Sequence, residues 1–86
     1  MKTIWKFRVP MEHVVRIEMP EGAELLTAQL QGDIPMLWAA VDPEAPRRAR
    51  VLTIIGTGRE APEGRYVGTW QQDGFVWHLF DVGSQT

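Results

Sequence analysis

Cysteine is absent from this chain of 86 residues, which excludes both a disulfide framework and a thiolate metal centre. An excess of one charge is missing too. Nine Lys and Arg stand against eleven Asp and Glu, for a net charge of −2. The sequence therefore carries no electrostatic footprint for a phosphate backbone, and nucleic acid is not expected as a partner. No apolar run approaches membrane-spanning length, and the opening MKTIWKFRVP has a charge every few residues where a signal peptide needs an apolar centre. No membrane association is expected, and the cytoplasm is the expected location. Repeats, linkers and low-complexity stretches are also missing, which leaves one domain over residues 1–86.

Apolar and aromatic residues are what the chain has in quantity. Four Trp, three Phe and 44% hydrophobic residues supply a dense core for a chain that buries only about 60 to 65% of the surface it exposes when unfolded. With no covalent staple, a homo-oligomer is the expected substitute. The richest stretch is Gly64 to Gly83, where Asp73-Gly74 supplies the positive φ angles of a type I′ hairpin turn. A two-residue loop sets Gln72 opposite Phe75, Trp70 opposite Trp77, Gly68 opposite Leu79 and Val67 opposite Phe80. Alternation puts Tyr66, Trp70, Phe75, Trp77 and Leu79 on one face. Val67, Val76, Phe80 and Val82 fall on the other, with Thr69 facing His78. One small interior cannot use both faces, so one of them is expected to meet a second subunit, with Val67, Val76 and Phe80 as interface candidates.

The remainder reads as further short strands. Thr3 to Val9 and His13 to Met19 alternate with period two and end at Pro10 and Pro20. The basic outer side of the first could lie beside Glu18, which predicts that these two pair as a hairpin through Met11-Glu12. Ala23 to Gln31 alternates as a third strand, with a short helix over Glu21–Gln31 as the alternative because Ala, Leu, Glu and Gln favour helix. Gly32 to Pro35 turns the chain, and Met36 to Val41 is an apolar, central fourth strand. Pro43 to Arg50 reads as an exposed polar loop that could open with one helical turn. Val51 to Ile55 is a fifth strand, interrupted at Gly56-Thr57-Gly58, and the tail Ser84-Gln85-Thr86 has nothing to bury. The fold class is all-β: a small antiparallel sandwich or barrel of about seven strands.

Candidate chemistry is sparse. Gly56-Thr57-Gly58-Arg59 combines permissive backbone with a guanidinium, which suits an anion, although it matches neither the phosphate loop of nucleotide hydrolases nor the dinucleotide fingerprint. A plain turn is the competing reading. His78 and Asp81 are separated by an odd number of residues on one strand, so they point to opposite faces and cannot act as an acid-base pair. His13 and Glu12 diverge in the same way. No ligand spacing supports a metal, no cofactor is implied, and no nucleophile comes with a base, so an enzyme is not expected. Arg47, Arg48 and Arg50 form the one basic cluster, either a solvated loop or a clamp for a phosphate or an acidic partner. Trp5, Trp38, Trp70 and Trp77 offer broad faces for stacking a base, with Trp38 and Trp70 taken forward, against the simpler reading that they fill the core.

The chain resembles, over nearly its whole length, a family of short proteins from tailed bacteriophages and prophage-bearing bacteria. The resemblance rests on Lys2-Thr3-Ile4-Trp5-Lys6-Phe7, on Glu18-Met19-Pro20 with Gly22-Ala23, and on Leu37-Trp38-Ala39 with Val41-Asp42-Pro43. Gly56-Thr57-Gly58, Tyr66-Val67-Gly68-Thr69 and Trp77-His78-Leu79-Phe80 complete it. It implies a phage setting and no established activity, and Arg59 stands where similar proteins often have His. Together these readings predict a non-enzymatic protein that binds a small anionic, nucleotide-like ligand and thereby counters host defence. Thr57, Gly58 and Arg59 would hold the phosphate, Trp70 or Trp38 would stack, and Thr69 or His78 would fix orientation. The alternatives are a module that inhibits or recruits a host protein, and an accessory structural protein of the virion.

Overall fold

Asp73 and Gly74 carry φ values of 54° and 81°, as the type I′ turn requires, and they join β6 (Arg65–Gln72) to β7 (Phe75–Ser84). In this computed structural model, which describes residues 1–84, five more strands precede them: β1 (Thr3–Arg8), β2 (Val14–Pro20), β3 (Glu24–Gln31), β4 (Ile34–Val41) and β5 (Arg47–Gly56). All pairings are antiparallel, and they form two sheets, one ordered β1-β4-β3 and the other β2-β5-β7-β6. The architecture is a sandwich of seven strands. The helix considered over Glu21–Gln31 is a strand over Glu24–Gln31: Ala28 and Leu30 alternate inward, and a bulge between Leu25 and Thr27 turns Leu25 in as well and leaves Leu26 exposed. Among the described residues no helix is long and apolar enough to cross a membrane. The expectation for the tail at Gln85 and Thr86 lies outside the described residues.

The two inner faces meet in one core. Leu37, Ala39 and Val41 of β4 face Val15, Met19, Leu52, Ile54, Trp70 and Leu79 of the larger sheet, all buried. Burying side chains of this size contributes about 1.5–3 kcal/mol each, which is the main stabilisation available to a chain without staples. Along one side the sheets converge: a Cβ on Gly68 of β6 would lie 2.5 Å from the Ala28 carbonyl oxygen of β3. Only glycine permits that approach.

Three local expectations are corrected. β1 and β2 do not pair. β1 lies on β4 and β2 on β5, and Pro10 to Glu12 crosses between the sheets: Val9 N–H donates to Pro35 O (3.0 Å), and Ile54 N–H donates to His13 O (3.1 Å). Each alternating strand thereby joins a more apolar central strand and turns its own apolar side inward. Second, Arg47 to Arg50 is not an exposed loop but the start of β5, where the register sets Arg47 to Arg50 against Ile17 to Pro20. Third, the β6–β7 register holds from Gln72 to Gly68 and then slips at a bulge, so that Phe80 faces Tyr66 rather than Val67. The extra residue shifts the alternation by one. Val67 turns into the core, and Tyr66 moves to the outer face, where its ring meets Phe80 edge-on at 5.7 Å.

Candidate functional site

Gly56 ends β5 directly opposite Trp77 of β7. A Cβ there would come within 3.3 Å of the indole, so the missing side chain leaves room for the ring beside the strand end. Beyond it the chain turns tightly, with Gly58 at φ 97° and Arg59 N–H donating to Gly56 O at 3.2 Å. The turn, the indole and the crossover between β1 and β2 enclose a pocket of about 500 Å³, with Arg59, Trp77, His13, Glu12 and Glu60 on its walls. Outside the pocket, Phe75 packs against Trp77 with ring centroids 5.5 Å apart. The pocket thus joins a flat apolar surface to one guanidinium and two carboxylates. As a backbone cradle the turn is less open than its glycines suggest, since Thr57 N–H already donates to Val76 O and Arg59 N–H to Gly56 O.

A second feature starts at the same turn and runs across the outer face of the larger sheet. Thr57 Oγ1 lies 2.8 Å from His78 Nε2, His78 Nδ1 lies 3.0 Å from Thr69 Oγ1, and Thr69 Oγ1 contacts the Tyr66 hydroxyl. Thr57 Oγ1 also reaches the Val76 carbonyl at 3.4 Å. That carbonyl can only accept, and with a neutral imidazole one assignment of the protons satisfies it. Tyr66 donates to Thr69, Thr69 to His78 Nδ1, His78 Nε2–H to Thr57, and Thr57 to the carbonyl. Every hydroxyl hydrogen and the ring N–H are used within the chain of bonds.

The expected site residues therefore separate into groups. Thr57, Thr69 and His78 come together on the outer face, and Gly58 and Arg59 lie in the adjoining turn. Trp70 does not join them: it is 4% exposed, inside the core. Trp38 belongs to β4 of the other sheet, paired with Lys6 and Thr27. Val76 and Phe80 lie on the outer face, half-buried, whereas the interface candidate Val67 is in the core. The arginine cluster is committed elsewhere. Arg47 stacks over Trp5 at 4.9 Å, and Arg48 pairs with Glu21 at 2.8 Å. Arg50 makes a forked contact with Asp81 (2.8 Å at the shortest) while also donating to Ala23 O. The hydrogen bond and charge of Glu21 hold the Arg48 guanidinium above its ordinary range, and Asp81, bound to Arg50, points away from His78 as strand parity requires. Sequence reasoning missed Trp77 as the pocket wall and Tyr66 in the bonded chain. The signal for Trp77 was Gly56, a glycine at a strand end, which leaves room for a large ring on the neighbouring strand. Among the described residues, no group of three or more His, Cys, Asp or Glu is placed to hold a metal ion.

The chain belongs to the family described as a domain of unknown function (DUF7352), which matches residues 1–86. No curated protein and no solved structure matches it.

Proposed function

We propose that this protein is a non-enzymatic binding module, working as a homo-oligomer, whose pocket beside Gly56–Glu60 takes a small anionic ligand with a planar group. One observation carries the reading: Arg59 and Trp77 line the same pocket of about 500 Å³, a volume in the range of small-molecule sites. Arg59 would bind phosphate or carboxylate through its fork of N–H donors, and Trp77 would stack the planar group. Glu12 and Glu60 on the same walls disfavour a bare multivalent anion and favour a ligand that also offers N–H donors, as a nucleobase does. In the phage setting implied by the family resemblance, such a module would sequester a nucleotide signal of host defence in the host cytoplasm.

Calorimetry against linear and cyclic nucleotides tests this. One member of the panel is expected to bind, with affinity falling at least about tenfold in Arg59→Ala, the loss of about 1.4 kcal/mol expected for a charge-assisted contact. Trp77→Leu should weaken the same ligand. A flat response from the unmodified protein to every nucleotide would sink the reading.

A further inference from the structure

We propose that the outer face of the β2-β5-β7-β6 sheet is the contact surface of a two-fold homodimer, with the Tyr66–Thr69–His78–Thr57 chain of hydrogen bonds near its centre. This rests on the homo-oligomer in the reading above and not on its ligand. The argument starts from what the face exposes. The register places Val51 and Ile55 of β5, Val76 and Phe80 of β7, Val14 of β2 and Tyr66 of β6 on one surface. Val14 and Tyr66 are exposed, and the other four are half-buried. The outward positions of the two central strands carry no Asp, Glu, Lys or Arg from Ala49 to Ile55 or from Val76 to Phe80. Arg16 and Glu18 on the β2 margin add one charge of each sign, and Arg47 at the start of β5 is engaged with Trp5.

The polar groups at the centre point the same way. Side chains that face water need not satisfy one another, and fixing four of them in one arrangement costs conformational entropy. A bonded chain that uses its own donors is what a surface needs if it is to be buried without leaving polar groups unpaired. Thr57, His78, Thr69 and Tyr66 meet that condition. A polar partner would find few free donors here, whereas a second copy brings a surface that is equally uncharged and equally saturated. Area is sufficient as well. The molecule is 39 × 29 Å across its broad faces, so one face can supply the roughly 800 Å² per partner of a standard interface. Because the same patch serves both copies, the interface closes on itself and stops at two.

Analytical ultracentrifugation of the full chain tests the proposal. The unmodified protein should sediment with twice the 9.8 kDa mass of one chain, and Phe80→Asp should weaken association at least about 100-fold, two tenfold steps of 1.4 kcal/mol. Val76→Lys is the second variant, in case Phe80→Asp fails to fold, and it should give the same loss with native circular dichroism. Ile4→Asp, on the outer face of the other sheet, should leave the dimer intact. A monomeric unmodified protein would overturn the proposal, as would a dimer broken by Ile4→Asp and indifferent to Val76→Lys, or a monomer that instead captures a host protein through Phe80. The two failures are distinguishable: a dimer with no nucleotide response sinks the pocket alone, and a monomer that binds a nucleotide sinks the interface and the homo-oligomer of the reading above while leaving the pocket.

Discussion

The two sheets present different outer faces although their inner faces share one core. On the three-stranded sheet, Met36, Trp38 and Ala40 of the central strand are half-buried beneath flanking side chains, and Lys6 reaches across to Gln31 at 2.6 Å. Lys6 and Arg8 alternate with the inward Trp5 and Phe7 along its edge strand, a means of keeping an edge soluble and unpaired. On the four-stranded sheet the outward Val51 and Ile55 of β5 and Val76 and Phe80 of β7 are half-buried too, but no charged side chain stands among them and the polar residues there bond to one another. The charged edge suits the first face to water although Ile4 and Ile34 are exposed on it, and the uncharged centre of the second suits it to the dimer proposed above.

The largest expected effect concerns the seam that fixes the two sheets relative to each other. Gly68→Ala would drive a Cβ into the Ala28 backbone and should cost about 3 kcal/mol or abolish folding, measured by urea denaturation. Gly74→Ala makes the control: nothing lies within 4 Å of its Cβ position, so only the positive φ is penalised, by about 1 kcal/mol. Equal losses at the two positions would mean that the sheets do not converge at Gly68.

Next come the two ion pairs. Arg50 and Asp81 retain 19% and 11% side-chain exposure, while Arg48 and Glu21 retain 54% and 50%. Asp81→Ala leaves Arg50 enclosed without its carboxylate and also removes the acceptor of Gly83 N–H, so it should lose about 2 kcal/mol. Glu21→Ala on the exposed pair should leave the thermal midpoint unchanged.

A small stability effect is also expected for the bonded chain. His78→Ala should cost the fold only about 0.5 kcal/mol, since water can replace its bonds in the monomer, yet it should weaken self-association by tenfold or more. A stability loss with unchanged association would assign His78 to the fold alone.

Much of the architecture was legible because it is local. Period-two alternation marked the strands, and Asp73-Gly74 fixed the register of the last hairpin from Gln72 to Gly68. What escaped was long-range. Nothing in Arg47 to Arg50 shows that Glu21 and Asp81 wait across the sheet, so the segment reads as loop until those partners are placed. The bulge at Val67 depends on Gly68 meeting Ala28, a contact between residues 40 apart in the chain, and one slipped residue exchanged Val67 and Tyr66 between core and surface. For the candidate site, Thr69 and His78 were legible as strand neighbours and Thr57 only as part of the Gly56-Thr57-Gly58 turn. Trp77 was not chosen over Trp70 and Trp38, because which indole borders a pocket is decided by where the strands end.

The contrast between the two faces is tested most directly by solvent paramagnetic relaxation of methyl groups in the unmodified protein. Within one chain Ile34, on the outer side of β4, is 39% exposed and Val14, on the outer side of β2, is 43% exposed. A soluble paramagnet should therefore reach both alike in a monomer. The predicted result is strong relaxation at Ile34 and protection at Val14, with Val76 protected as well. Equal relaxation at Ile34 and Val14 across the concentration range would contradict the account.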